Sequence, residues 1–306
     1  MKNESDLIHF FKQQAQAHSK FIHTSIGDDA AILDIPQNHQ LVSSIDTSIS
    51  GVHFPPETDP ADIAYKSLAV SMSDMAAMGA EPIGILLALT VPALNEAWIK
   101  AFAKGFFECA NEFKVPLIGG DTTQGPLSIS TVLHGIVPQN QALLRSGAQV
   151  DDLIYVSGQL GNAALALQHW REGKLSDPLL KQALNRPTPR IELGLALRSI
   201  ATSAIDLSDG LAQDLQRILT ASKVGADLEL DKLPTTVQRH ALNGGDDYEL
   251  CFTVPQKHQL EIEGIEKTLK LKLSCIGSIT KERDLKIYDK EKKIVKLESK
   301  GYEHFS

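Results

Sequence analysis

Short apolar runs that end at an aspartate, most of them beside a glycine, recur along almost the whole chain, and this pattern restricts the fold more than any other feature. They end at Gly27-Asp28-Asp29, Asp46, Gly119-Gly120-Asp121, Asp206-Leu207-Ser208-Asp209-Gly210 and Gly244-Gly245-Asp246-Asp247. Segments of helical periodicity lie between them, so strands and helices alternate and the junctions carry carboxylates. Mixed α/β layers follow from that alternation.

The spacing predicts a helix over residues 5–18, a strand over 40–45 running into Asp46, and a helix from Asp59-Pro60 to about Gly79 with Ala64, Leu68, Met72, Met75 and Met78 as its buried stripe. A strand over 83–91, a helix over 95–113 and a short strand over 115–118 that stops at Gly119-Gly120-Asp121 continue the series. Residues 127–137 alternate apolar and polar positions, as an antiparallel strand with one covered face does. Residues 138–150 read as a linker, which divides the chain into domains 1–139 and 140–306. The second half predicts strands at 153–156, 204–206, 227–230, 249–254 and 271–279, with helices at 163–170, 190–200 and 211–221.

Composition narrows the partners. The chain has 306 residues, 42% hydrophobic and 22% charged, enough apolar material for one large or two medium cores. Its 30 basic and 38 acidic side chains give a formal charge of -8 with no basic stripe, which argues against nucleic acid. Cys109, Cys251 and Cys275 form no C-x-x-C pair, so neither a disulfide framework nor a zinc site is expected. The first residues lack the apolar core of a signal peptide, and the longest apolar run, 82–94, is broken by Gly84, Thr90 and Pro92. A cytoplasmic protein without a membrane span is the expectation.

Any one aspartate beside a glycine reads first as a turn. Several converging are another matter, because two carboxylates 4 Å apart repel by about 4 kcal/mol at an effective dielectric of 20. A hard cation that favours oxygen ligands, magnesium above all, relieves that repulsion and brings nucleotide phosphates with it. The chain has no G-x-x-x-x-G-K-[ST], H-R-D or D-F-G motif, so the chemistry indicated is phosphoryl transfer at a site unlike the P-loop or the protein kinases. Gly158-Gln159-Leu160-Gly161 is a candidate phosphate cradle.

Ile26-Gly27-Asp28-Asp29-Ala30-Ala31, Ser44-Ile45-Asp46-Thr47, Gly51-Val52-His53-Phe54, Ser73-Asp74-Met75-Ala76-Ala77-Met78-Gly79-Ala80, Gly119-Gly120-Asp121-Thr122-Thr123, Arg145-Ser146-Gly147-Ala148, Ala204-Ile205-Asp206-Leu207-Ser208-Asp209-Gly210, Gly245-Asp246-Asp247-Tyr248-Glu249-Leu250 and Gly301-Tyr302 occur in this order. In that order they resemble the thiamine-monophosphate kinases, of the superfamily typified by aminoimidazole ribonucleotide synthetase. The resemblance implies a two-domain α/β (α+β) fold. Its N-terminal mixed sheet would pair with its copy in a homodimer, and its C-terminal α/β domain would close the active site. The implied reaction is ATP-dependent phosphorylation of thiamine monophosphate, with several Mg2+ ions and K+ as a further candidate cation.

By the same resemblance, Asp29, Ser44, Asp46, Asp74, Asp121, Asp206 and Asp209 would hold metal. Gly120, Asp121, Arg145 and Ser208 would contact ATP, and His53, Asp246 and Tyr302 the substrate, with Asp209 and Arg145 as the catalytic pair. Asp246 stands where the family usually has glutamate, Ile45 where it often has threonine, and residues 234–243 are short for the family. Selenophosphate synthetase would need an early cysteine and the hydrogenase-maturation relative a C-terminal one, and the chain has neither. A purine-pathway relative and a catalytically silent nucleotide-binding regulator remain as alternatives.

Overall fold

The computed structural model describes residues 1, 3–15 and 19–296. It divides into two compact units, one of Met1–Met75 and Ala80–Asn140, the other of Ala76–Gly79 and the chain from Gln141 onward.

The first unit begins with α1 (Glu4–Gln14), capped by the Asn3 side chain, and a small hairpin of β1 (Ile22–Thr24) and β2 (Ile32–Leu33). Then follow β3 (His39–Ile49), α2 (Pro60–Ala77), β4 (Glu81–Val91), α3 (Glu96–Glu112), β5 (Leu117–Gln124) and β6 (Ser128–Pro138). The four-stranded sheet runs β3-β6-β4-β5, antiparallel except for β4 and β5, which α3 connects in parallel. α2 lies on one face of it, where Thr131 of β6 donates to the Ser67 carbonyl and shares a 2.6 Å hydrogen bond with Ser71. Ala64, Leu68, Met72 and Met75 form the buried stripe of α2 as expected, whereas Met78 lies past the helix end and is half-buried.

β5 corrects the sequence reading, because the strand does not stop at Gly119-Gly120-Asp121 but runs through it to Gln124. Gly120, at φ +152°, lies so close to β4 that a Cβ there would sit 1.9 Å from the Leu87 carbonyl oxygen. Its glycine serves backbone approach between strands rather than a turn.

The second unit carries a six-stranded sheet, β12-β9-β11-β7-β10-β8, antiparallel except for its β12-β9 pair. Its strands are β7 (Leu153–Ser157), β8 (Ser203–Asp206), β9 (Gly225–Glu229), β10 (Leu250–Val254), β11 (Leu273–Thr280) and β12 (Leu285–Tyr288). Its helices are α4 (Asn162–Arg171), α5 (Pro178–Asn185), α6 (Ile191–Leu197), α7 (Leu211–Ser222), α8 (Gln238–Asn243) and α9 (Gln259–Leu269). Ile154, Val156, Ile205, Leu211, Leu215 and Ile218 form its core, with α7 against the sheet. The sequence reading lacked α5, α8 and β12, all short, and α9, which carries Gly264 in its interior. No described helix is long and apolar enough to cross a membrane.

In the first unit, α2 and α3 touch where Gly105 faces Ala61, and a Cβ at Gly105 would lie 1.9 Å from the Ala61 carbonyl oxygen. Alanine in a helix interior normally gains about 1 kcal/mol over glycine. Here the overlap with backbone reverses the sign: Gly105→Ala is expected to cost roughly 1–3 kcal/mol, read as a lower urea midpoint. A midpoint at or above wild type would show that the helices separate freely.

Candidate functional site

In the first unit, strand register sorts the acidic residues onto two faces. Asp46 pairs with Thr131, Thr131 with Leu87, and Leu87 with Gly120, a row that faces α2. The next row, Thr47, Ser130, Ala88 and Asp121, faces the other way. Asp46 and Asp121 therefore lie on opposite faces, and on the two edge strands of the sheet.

On the α2 face, Ser44 donates its hydroxyl to Asp74 Oδ2. Asp46 stands beside them, and burial first, then the Asp74 charge, push its pKa up to about 6 against the opposing Ser71 hydroxyl. Its Oδ2 is buried with no hydrogen-bond partner among the described residues. An orphaned carboxylate oxygen facing a second carboxylate is an arrangement that a hard cation stabilises, and Ser44, Asp46 and Asp74 are all oxygen donors. The residues present fit Mg2+.

On the opposite face, Asp29, Asp121 and the backbone of Gly120 line one cavity of about 730 Å³, walled by residues 25–31, α1, β4 and β5. The Asp29 N–H donates to Asp28 Oδ1 at 2.9 Å, which fixes the turn. His134, absent from the sequence reading, faces the same cavity and bonds Ser43 at 3.0 Å, and burial lowers its pKa. His53 follows β3, where the Ile49 N–H donates to its Nδ1 at 3.0 Å and leaves the ring proton on Nε2.

In the second unit, two of the acidic motifs are zipped together by backbone. Asp246 N–H donates to the Ser208 carbonyl, Tyr248 N–H to that of Leu207, and Leu207 N–H to that of Glu249, each at 2.8 Å. Asp206, buried at the end of β8, together with Ser208, Asp209 and Asp246, is thereby gathered at one end of the sheet. Asp246 and Tyr248 adopt left-handed φ of 63° and 50°, a cost that the zipper offsets. The Tyr248 hydroxyl donates to Asp246 Oδ1 at 3.0 Å.

Arg145 is exposed beside β8, because the Ala204 N–H donates to the Leu144 carbonyl at 2.9 Å. Ser222 at the end of α7 donates to the Arg145 carbonyl and accepts the N–H groups of Gly147 and Ala148. Tyr302 lies outside the described residues. Among the described residues no three His, Cys, Asp or Glu side chains gather closely enough to hold a metal ion, so the expected ligands stand in smaller groups.

The phosphate-cradle reading of residues 158–161 is corrected. The Gly161 N–H donates to both oxygens of Asp247, at 2.8 and 3.0 Å, and burial pushes the Asp247 pKa well up. A Cβ at Gly158 would lie 2.0 Å from Glu249 Oε1. Glu249 accepts from Ser157 at 2.5 Å and from Arg190 at 2.7 and 2.5 Å. Two carboxyl groups fill the turn, and the Gly161 N–H that a phosphate would need is already taken by Asp247.

Comparison with known proteins places these observations in a family. Residues 27–137 match the AIR synthase related protein N-terminal domain, and residues 149–290 its C-terminal domain. The chain is 44% identical over 320 aligned positions to the thiamine-monophosphate kinase of Escherichia coli (strain K12), covering 99% of this chain and 98% of that protein. The crystal structure of thiamine-monophosphate kinase from Stenotrophomonas maltophilia K279a superposes with TM-score 0.87 at 43% identity, over 94% of this chain and 96% of that one. AaThiL complexed with AMPPCP and TMP superposes with TM-score 0.78 at 28% identity, over 99% of this chain and 97% of that one.

A carboxylate whose pKa is raised on folding contributes stability that is fully present below its unfolded value of 3.8 and lost as pH rises through about 6. In the metal-free protein, Asp46→Asn is therefore expected to add roughly 1–3 kcal/mol at pH 7.5 and nothing below pH 4. Urea unfolding with a chelator at the two pH values checks this. Equal effects at both would mean that Asp46 is not a destabilised charge.

Proposed function

We propose that this chain, which belongs to the AIR synthase related family and within it to the thiamine-monophosphate kinases, uses ATP to phosphorylate thiamine monophosphate to thiamine diphosphate. It is a kinase whose acceptor is itself a phosphate group. The observation that carries this is 44% identity with an Escherichia coli thiamine-monophosphate kinase across 99% of the chain.

The acceptor phosphate has a second pKa of about 6, so at pH 7 most of it is already the dianion and needs no general base. One of its oxygens attacks the γ-phosphorus of ATP, the bond to the β,γ-bridging oxygen breaks, and ADP leaves. The task left to the chain is to hold two anionic groups in line. Arg145 offers a planar fork to phosphate oxygens, and Gly120, Asp121 and Ser208 contact the nucleotide. His53 presents its Nε2 proton to the substrate, while Asp246, held by Tyr248, meets the thiamine cation. Tyr302 supplies an aromatic face to the same cation. Asp29, Ser44, Asp46, Asp74, Asp121, Asp206 and Asp209 are the residues that would hold Mg2+, with K+ as a further candidate. When bound, Mg2+ offsets the phosphate charge.

We place the protein in the cytoplasm and assemble it as a homodimer. β3 is an edge strand whose open face exposes Leu41 at 51%, Ile45 at 64% and Ile49 at 41%. An apolar row on an unpaired edge supports pairing with a second copy. Ile45 fits that role rather than a metal shell, since it faces away from Asp46 and Asp74.

Incubation with ATP, Mg2+ and thiamine monophosphate is expected to yield thiamine diphosphate, detected by its fluorescent oxidation product and abolished by a chelator. Arg145→Ala is expected to lower kcat roughly 10²-fold, with Arg145→Lys recovering part of that loss because it keeps the charge without the fork. ATP binding without product would overturn the assignment, and unchanged kcat in Arg145→Ala would remove Arg145 from it.

A further inference from the structure

The N-terminus of α7 follows Asp209-Gly210, and the Gly210 cap offers no side chain. Asp214, fully buried, does that work: its Oδ2 accepts the N–H groups of Asp209 at 3.0 Å and Gly210 at 3.2 Å. Its Oδ1 pairs with one terminal nitrogen of Arg217, and the other terminal nitrogen grips Asp209 Oδ2. Gln213 reaches the same Asp209 oxygen at 3.4 Å. One guanidinium thus bridges a carboxylate that caps the helix and one assigned to a cation.

Compensating Asp214 requires only one end of that fork. The second end lies on Asp209, where it uses an oxygen that a cation would use and places positive charge where a cation would come. Asp209 and Asp214 contact this one guanidinium and the Asp206 charge also acts on it, so the turn keeps an excess of negative charge with Arg217 in place. The Arg217 side chain is 35% exposed, which leaves it room to withdraw from Asp209 while it stays on Asp214.

We propose that Arg217 is a positioning residue that holds Asp209 in the cation-free chain and yields it when a divalent cation binds, thereby setting the affinity of that uptake. This rests on the reading of Asp209 as a cation ligand. Arg217 then acts as a tethered cation that keeps Asp209 in place and discourages loading without the nucleotide's own negative charge.

The test uses the full chain without nucleotide and Mn2+ as probe, with free Mn2+ measured by its electron paramagnetic resonance signal. Arg217→Gln is expected to bind Mn2+ roughly two- to fivefold tighter, the range of a partly exposed ion pair. Arg217→Lys should fall between, since one ammonium cannot span both carboxylates. Asp209→Asn should weaken binding. A merely structural Arg217 would lower the melting temperature and leave Mn2+ affinity alone. Unchanged or weaker binding in Arg217→Gln, with Asp209→Asn still weakened, would overturn the proposal and keep Asp209 as a ligand. Binding untouched by Asp209→Asn would overturn the ligand reading and the proposal with it. Should Arg217→Gln fail to fold, Arg217→Gln/Asp214→Asn removes the buried charge while keeping an amide oxygen for the cap, and is read in the same way.

Discussion

Carboxylates held where water solvates them poorly are the constraint on which the rest of this structure turns. Asp46 sits against Asp74 on the α2 face with a buried oxygen that has no hydrogen-bond partner among the described residues. Asp214 is closed off under the N-terminus of α7, where burial raises its pKa to about 6 against the pull of the Asp209 and Gly210 N–H groups and of Arg217. Asp247 and Glu249 fill the turn before α4. An isolated buried charge is costly, so each has to find a partner or become neutral. Arg217 and Arg190 are the partners the chain provides, while Asp46 beside Asp74 keeps a buried oxygen with no hydrogen-bond partner among the described residues.

The two kinds of carboxylate divide the labour. Asp214, Asp247 and Glu249 spend their oxygens on backbone N–H groups, a serine hydroxyl and arginines, and so shape the turns. Asp209 and Asp246 are partly exposed and stand on those turns, while Asp29 and Asp121 of the first unit are exposed on a loop and on β5. The backbone zipper between residues 207–208 and 246–249 explains how left-handed backbone at Asp246 and Tyr248 persists: three 2.8 Å hydrogen bonds hold the segment on both sides. A side chain presented from a conformation that the neighbouring strand fixes loses little freedom on meeting a ligand.

Much of this was legible in the sequence because periodicity reports burial. The α2 stripe, the alternation along β6 and the core strands of the second unit follow from spacing alone, since a residue's face is set by 3.6 or 2 residues per repeat. The acidic motifs were legible too, as was the family, because their order along the chain is specific. Glycine was the ambiguous letter. From its neighbours Gly120 suggests a turn and is a point of close strand approach, and Gly158 and Gly161 suggest a phosphate seat and are the seat of carboxylates.

By itself, then, the sequence determined the alternation of strands and helices, the residues fit for phosphate and cation chemistry, and membership of the thiamine-monophosphate kinases. Local patterns suffice for these because they depend on neighbours a few residues away. Only the tertiary structure decided which carboxylates bond the chain's own backbone and arginines, that Asp46 and Asp121 lie on opposite faces of their sheet, and that Arg217 reaches both Asp209 and Asp214. Those outcomes depend on register between distant strands and on burial, and neither is written in any short stretch of residues.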